Sequence, residues 1–334
     1  MNWRPSATHA ALARRATLLQ RARGFFSERS VMEVETPILS AAAVSDPQIE
    51  TLATQLAGVP APKFLCTSPE YAMKRLLAAG SGDIYQICKV FRDAEHGRWH
   101  SPEFTMIEWY RLGMDDAALM DEVEALVRVL LAPERNLGPA ERLGYAAALQ
   151  RHAGVDAFGS SDEELRQAAL RHGIVCDAEL DRDAKLDLLM GLVVGPRLGH
   201  AGPCFICDYP ASQAALARLR PARAQPAAAP NTALPASLPA VTARFELYLN
   251  GLELANGFHE LAAAQEQRAR FDQEFKVRQA RRQIQRPLDE NLLAALEAGM
   301  PDCAGVALGF DRLVAISLGA DRLAAAMAFT IDNA

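Results

Sequence analysis

The sequence predicts an α+β fold, an antiparallel β-sheet flanked by helices, and three observations carry that expectation. Two β-rich runs, 84–92 and 103–111, bracket a polar stretch from Asp93 to Pro102, the pattern of an antiparallel hairpin with a long loop. A second pair of runs, 245–249 and 252–255, meets at Asn250-Gly251, the strongest short-range signal for a two-residue hairpin turn. Apolar residues at helical spacing mark amphipathic helices elsewhere in the chain.

Leu12, Ala16, Leu19, Ala22 and Phe26 predict a first helix that packs one stripe inward, followed by an extended piece from Val31 to Thr36 that ends at Pro37. Thr67-Ser68-Pro69-Glu70 reads as a helix start, with Ser68 as N-cap, Pro69 in the first turn and Gly80 as the stop. Along 103–111, alternation places Phe104, Met106, Glu108 and Tyr110 on one face and Thr105, Ile107 and Trp109 on the other. A carboxylate and a phenol between apolar groups make the first of these faces a pocket wall. Residues 114–199 read as mostly helical, with a capping box at Ser161 and Glu164. The Pro/Ala-rich stretch 218–243 has almost no aromatic residue to offset its ordering entropy and reads as a flexible surface insertion. Glu253 falls on the returning strand of the Asn-Gly hairpin. Residues 262–286 predict a long helix with a solvated, doubly charged face. Ala304–Leu308 predicts a small strand, Gly309 permits close backbone approach, and Asp311-Arg312 opens a last helix, with an arginine directed at something anionic.

Composition narrows the classes. Half of the 334 residues are hydrophobic, and 41 acidic against 35 basic residues give a formal charge of -6, so no bulk positive field points to nucleic acid or an anionic membrane. No apolar run approaches the roughly 20 residues a membrane helix needs, and the first ten residues lack a signal-peptide pattern, so a cytoplasmic protein is expected. Of six cysteines only Cys204 and Cys207 form a C-x-x-C pair, and they read as small side chains in a buried strand. There is no G-x-x-x-x-G-K-[ST] loop and no complete G-x-G-x-x-G fingerprint, which leaves P-loop and Rossmann enzymes unsupported.

What the chain does carry suits a nucleoside triphosphate. Arg92 and Arg312 sit at strand ends, and guanidinium forks grip phosphates. Glu253 and Glu260 offer carboxylates for magnesium, and Phe104 a ring face for a base. The strings then become specific. Glu33-Val34-Glu35-Thr36-Pro37, Phe91-Arg92 through Pro102-Glu103-Phe104-Thr105, and Gly305-Val306-Ala307-Leu308-Gly309-Phe310-Asp311-Arg312 resemble, in order, motifs 1, 2 and 3 of class II aminoacyl-tRNA synthetases. Thr67-Ser68-Pro69-Glu70, Glu103 through Glu108, and Asn256-Gly257-Phe258-His259-Glu260 narrow the resemblance to the lysyl branch. Only a helix's length precedes motif 1, so no anticodon-binding barrel is expected, and 1–334 reads as a single catalytic domain with its insertion at 218–243. In this the chain resembles the truncated lysyl-synthetase paralogs that join (R)-β-lysine to elongation factor P. Ala307, where lysyl synthetases have glycine, is similar to that subgroup, in which it shapes the pocket floor for a β-amino acid.

The resemblance implies an enzyme that uses ATP and Mg2+ to form the adenylate of (R)-β-lysine or lysine and transfers it to a lysine ε-amine of elongation factor P. It implies that Arg92 holds the α-phosphate and the substrate carboxylate, that Arg312 holds the γ-phosphate, and that Glu253 and Glu260 hold magnesium. Phe104 and Arg312 would sandwich adenine, with Glu95, His100, Ser101, Leu254 and Gly309 completing the ATP site. Ser68, Pro69, Glu70, Glu108, Tyr110, Asn256, Glu260 and Ala307 would line the amino-acid pocket, with Glu70, Glu108 and Tyr110 receiving its two ammonium groups. His96 reads as a solvated loop residue. Ser101 stands where relatives often have asparagine. Ala94 stands where an adenine-contacting glutamate is usual, and either Glu95 or a backbone carbonyl takes that contact. Motif 1 implies a homodimer. Two other readings stay open: a lysine-activating enzyme for a tRNA-like or other carrier, and a regulatory paralog that binds amino acids without activating them.

Overall fold

A computed structural model describes residues 3–131, 135–221 and 240–334. In chain order the first elements are α1 (His9–Glu28), β1 (Met32–Glu33), β2 (Leu39–Ser40), β3 (Ala53–Thr54), β4 (Lys63–Leu65), α2 (Glu70–Ala78), β5 (Ile84–Phe91), β6 (Glu103–Leu112) and α3 (Asp116–Leu131). There follow β7 (Glu141–Gly144), α4 (Tyr145–Ala153), α5 (Asp162–Arg171), α6 (Arg182–Leu189), β8 (Cys204–Cys207), β9 (Leu219–Arg220), β10 (Val241–Thr242), β11 (Arg244–Leu249) and β12 (Leu252–His259). The last are α7 (Ala264–Ala280), α8 (Glu290–Gly299), β13 (Cys303–Gly309) and α9 (Phe310–Ser317). They group into two compact units, Met1–Met114 with Ala125–Arg135 and Leu261–Ala334, and Asp115–Glu124 with Asn136–Glu260.

In the first unit four strands hydrogen-bond in the order β1-β5-β6-β13. β5–β6 and β6–β13 are antiparallel, as the hairpin pattern predicts, but β1 runs parallel to β5. The chain between β1 and β5 is long enough, with β2, β3, β4 and α2, to make the crossover that a parallel neighbour requires. Alternation along β6 is as expected. Trp109 is fully buried against Phe26, whose ring also stacks on Tyr85 at 4.2 Å. Glu108 faces the other way.

α1 starts at Thr8, whose side chain accepts a hydrogen bond from the Ala11 N–H at 3.2 Å. Its buried stripe is Ala11, Leu18, Ala22, Phe25 and Phe26, so the expected stripe is rotated and Ala16 faces solvent. The two adjacent phenylalanines bury the largest area and set the helix's rotation. α7 departs from a purely solvated helix. Phe271 and Gln267 are buried, and Arg278 is 1% exposed with both terminal nitrogens engaged, one of them on Glu50 at 3.0 Å. A buried guanidinium needs such a partner, and Glu50 is far off in sequence, beyond the reach of a local charge-pattern reading.

In the second unit the order is β12-β11-β8-β7, antiparallel except for β7 with β8. β7 interrupts the stretch expected to be helical. α4, α5 and α6 bury Leu149, Leu165, Leu186 and Leu189 together with Ile206 of β8. The capping box of α5 is formed by Ser161 and Glu164, as its spacing predicts. Cys204 and Cys207 are buried, free cysteines on β8, and burial pushes the Cys204 thiol up to about 12. Asn250 and Gly251 both take positive φ, 52° and 75°, the turn conformation that this dipeptide favours. The stretch expected as an insertion, 218–243, begins and ends in an antiparallel pair, Thr242 opposite Leu219 and Val241 opposite Arg220; its residues 222–239 lie outside the described residues.

Candidate active site

β6 delivers the acidic centre of the first unit. Glu108 is 2% exposed, and both its oxygens are held: Ser68 Oγ donates to Oε2 at 2.7 Å and the Tyr110 hydroxyl to Oε1 at 2.7 Å. Two short bonds to one carboxylate fix its orientation. Ser68 is not the N-cap that the sequence predicts. The cap residue is Pro69, the helix begins at Glu70, and Ser68 Oγ accepts the Glu70 N–H at 3.0 Å while donating to Glu108. A hydroxyl both donates and accepts, so one serine turns the chain into α2 and aligns the carboxylate. Gly80 closes α2 at a φ of 86°, as expected.

Glu70 lies in the first turn of α2, where the buried Lys74 ammonium stands 2.7 Å from its carboxylate. That i,i+4 pair was not anticipated. Pro69 and Glu70 line a cavity of about 330 Å3 with Ser68, Thr67 and Asp289. In the ladder, Ala307 lies directly opposite Glu108 and Gly309 opposite Met106, which brings motif 3 beside the acidic centre.

Arg92 leaves the end of β5, where its backbone N–H still bonds the Pro102 carbonyl at 2.9 Å. Its guanidinium lies 5.1 Å from the Phe104 ring centre, reaches the Thr67 carbonyl at 3.4 Å and stands 3.5 Å from Glu95. The cation over the Phe104 face is therefore Arg92, and the Glu95 carboxylate is drawn to that same guanidinium. Ala94 takes φ 61°, in the left-handed region, and its N–H is held by Asp93 Oδ1 at 2.8 Å. The kink carries the chain from Arg92 to Glu95 within an i,i+3 contact.

Arg312 lies in the first turn of α9, and its Nε donates to the Trp99 carbonyl of the hairpin loop at 3.2 Å. Next to it, Asp311 Oδ2 accepts the Thr105 N–H at 2.8 Å, which ties the start of α9 to β6. His100 lies between these groups electrostatically. Burial lowers its pKa, and the Arg312 and Arg92 charges lower it further against the opposing Glu95. Burial and the two arginine charges each favour the neutral imidazole. Ser101 is buried, and with His100, Arg98 and Arg322 it lines a second cavity, of about 570 Å3. His96 is exposed, 3.4 Å from Asp332.

The second unit carries Glu253, Leu254, Asn256 and Glu260. By strict alternation, residues 253 and 260 would face opposite ways. The β11–β12 ladder shifts register between Leu247 and Tyr248, so Tyr248 opposes Glu253 while Glu246 opposes Asn256. The extra residue in β12 is a bulge, and it puts Glu253 on the face of Asn256 that alternation continues to Glu260. Leu254 is 2% exposed, its side chain in the core, so only its backbone can meet a ligand. Glu260 is buried, its carbonyl taken by Arg218 Nε at 2.6 Å.

Beside Asn256 and Glu253 on the same face, the sequence reading missed a charged row on β11. Glu246 accepts from Arg244 at 2.6 Å and from the Tyr248 hydroxyl at 2.7 Å. Burial, then Glu246 and Glu253, hold the Tyr248 phenol well above its ordinary pKa. Polar residues at 244, 246 and 248 in an otherwise apolar strand were the available signal.

Among the described residues no group of three or more His, Cys, Asp or Glu side chains could cage a metal ion. Glu253 and Glu260 share a face but lie seven residues apart along the chain, so each offers a single carboxylate, the donor type that suits a Mg2+ ion whose other ligands are waters and phosphates.

Comparison with known proteins agrees with the motifs. Residues 1–333 match the family described as tRNA synthetases class II (D, K and N). The chain is 46% identical over 339 residues, 100% of its own length and 99% of the other's, to an elongation factor P–(R)-β-lysine ligase of Vibrio cholerae. It is 46% identical over 338 residues, covering 99% of this chain and 98% of the relative, to a protein of the same name from Salmonella arizonae. With three motifs in order, a Ser68–Glu108–Tyr110 centre beside motif 3 and full-length relatives, the chain belongs to the class II tRNA synthetases and stands among the elongation factor P–(R)-β-lysine ligases.

Proposed function

We propose that this enzyme activates (R)-β-lysine, or lysine, with ATP and transfers it to the ε-amine of a lysine on elongation factor P. The single observation that carries the reading is the aligned, buried Glu108 carboxylate, gripped by Ser68 and Tyr110 next to Ala307. An oriented anion in low dielectric is a receptor for an ammonium. Glu70, already paired with Lys74, supplies a second acidic group for a substrate carrying two amines.

The substrate carboxylate attacks the α-phosphorus and pyrophosphate leaves. Such an in-line displacement calls for positioning and charge neutralisation. Arg92 suits the α-phosphate and the substrate carboxylate, Arg312 the terminal phosphate, and the joint action of both charges on His100 supports a shared anion site. Phe104 would offer adenine a ring face, His100, Ser101, Gly309 and Glu95 would be further ATP contacts of the same unit, and the Leu254 backbone would be an ATP contact of the second unit. Glu95 serves in place of the side chain missing at Ala94. Glu253 and Glu260 would hold Mg2+, which would neutralise phosphate charge, and Asn256 would meet the amino acid. In the second step the acceptor amine attacks the activated carbonyl and AMP leaves.

The enzyme acts as a cytoplasmic homodimer through motif 1. Met32, Ile38 and Leu39 are exposed apolar side chains on either side of 33–37, which supports this face as the contact. No helix among the described residues is long and apolar enough to cross a membrane.

Intact-mass measurement of elongation factor P after incubation with the enzyme, ATP and each lysine isomer tests the reading. The expected result is one β-lysyl addition. Unmodified factor together with charged tRNA would favour the tRNA-like carrier, and absence of lysine-dependent pyrophosphate exchange would favour a regulatory paralog.

A further inference from the structure

The β5–β6 ladder sets Gln86 directly opposite Glu108, and the β6–β13 ladder sets Ala307 opposite Glu108 on its other side. Directly opposed residues in an antiparallel pair project from the same face, so Gln86, Glu108 and Ala307 form one row across three strands. Gln86 is 4% exposed. Burial pushes the thiol of Cys88, two residues along the same face, up to about 12, against the opposing effect of the Gln86 amide. The amide oxygen Oε1 has no hydrogen-bond partner and no solvent contact.

An unmet buried acceptor costs ~1–3 kcal/mol, and native interiors rarely leave one unanswered. The neighbours named on this face cannot answer it. Glu108 brings only acceptors, its oxygens already hold the two hydroxyl protons nearby, and Ala307 and Met106 bring none. What the row lacks is a donor, and the donor that the adjacent carboxylate attracts is an ammonium.

We propose that Gln86 is a substrate-binding residue of the acidic slot, its Oε1 accepting a hydrogen bond from the substrate ammonium held by Glu108. The inference rests on the proposed activation of a lysine-type substrate and adds a specificity determinant to it. Glutamine is suited to this place because a carboxylate opposite Glu108 would put two like charges about 5 Å apart at Cβ, and both would not ionise. The amide supplies acceptor strength with no second charge.

The test measures ATP–pyrophosphate exchange on the full chain and on Gln86→Met and Gln86→Leu, with lysine isomers and ATP varied separately. Calorimetric titration with lysine isomers in the absence of ATP accompanies it. The expected result in both variants is a KM for the amino acid raised roughly 10-fold, the loss of one hydrogen bond to a charged group. The KM for ATP and kcat stay within about two-fold, and calorimetric affinity falls by the same factor. The unfolding midpoint in urea holds or rises, because the variants remove an unmet buried acceptor. A residue that merely supports the sheet would give the opposite pattern, a lower midpoint with the amino-acid KM unmoved, and that outcome overturns the proposal. So does an unchanged amino-acid KM in both variants while the wild type activates lysine, which leaves the broader function standing. A wild type that neither binds nor activates any lysine isomer removes both.

Discussion

Arg15 Nη1 lies 2.5 Å from Asp311 Oδ1, so the first helix of the chain holds the residue next to Arg312. Asp311 is 2% exposed and its other oxygen accepts the Thr105 N–H, while Arg15 also donates to Thr105 Oγ1 at 2.8 Å. Asp311→Ala leaves this guanidinium and the Thr105 N–H without the carboxylate. The expected loss is about 3 kcal/mol, as for other broken buried pairs, read as a lower urea midpoint. Pyrophosphate exchange falls as well, because the start of α9 sets the position of Arg312.

Glu108→Gln keeps the shape and one accepting oxygen but removes the charge, and its NH2 must donate to the other of the two hydroxyls. The expected outcome is a roughly 100-fold drop in kcat/KM for the amino acid, about 3 kcal/mol. The KM for ATP stays near the wild-type value. Exchange kinetics with each substrate varied in turn provide the check, and an equal loss for both substrates would place Glu108 outside the amine pocket.

Glu274 of α7 gives a pH dependence of defined sign. Burial pushes its carboxyl from 4.5 up to about 7, the nearby Asp46 and Glu70 charges add to the rise, and the bond from Ser45 Oγ at 2.5 Å opposes it. Between those two values the folded chain keeps a proton that the unfolded chain has released. Stability is therefore fully present below pH 4.5 and is lost as pH rises through about 7, with a slope of up to about 1.4 kcal/mol per unit. Glu274→Gln removes this component. Urea midpoints of variant and wild type diverge in the variant's favour from pH 5 to pH 8.

Ile38→Asp tests the dimer contact. The side chain is 41% exposed, so an aspartate there leaves the protomer's fold intact. It places a charge in an apolar contact, and a mass measurement in solution is expected to move from two copies toward one at micromolar protein. A wild-type protein that is monomeric under the same conditions ends this reading.

Much of the fold was legible because local chemistry agreed with it. The Asn250-Gly251 turn, the Ser161–Glu164 box and the alternation of β6 each act within a few residues. Contacts distant in sequence escaped. Nothing near Arg278 names Glu50 as its partner, and nothing near Asp311 names Arg15. Ser68 reads as an N-cap because a serine before a proline and a glutamate usually is one; its hydroxyl does accept the Glu70 N–H, but the cap position falls on Pro69, and its second bond, to Glu108 forty residues on, has no local signal. The resemblance named Glu108, Tyr110 and Ser68, and the structure brings these three together. It could not name Gln86, which owes its place to strand register, or Lys74, whose burial is supplied by packing.

The extra residue in β12 divides its hairpin into two independent phases. From the Asn250-Gly251 turn to the bulge, side chains keep one parity; beyond it, toward Glu260, they keep the other. A one-residue insertion or deletion on the turn side can be absorbed if the bulge slides or anneals, and the distal half is not inverted. Between Asn256 and Glu260 the same edit has no slack to consume, and it swings a carboxylate through the sheet to the wrong side. Tolerance to length change along this hairpin is thus lopsided, permissive near its tip and strict near its base.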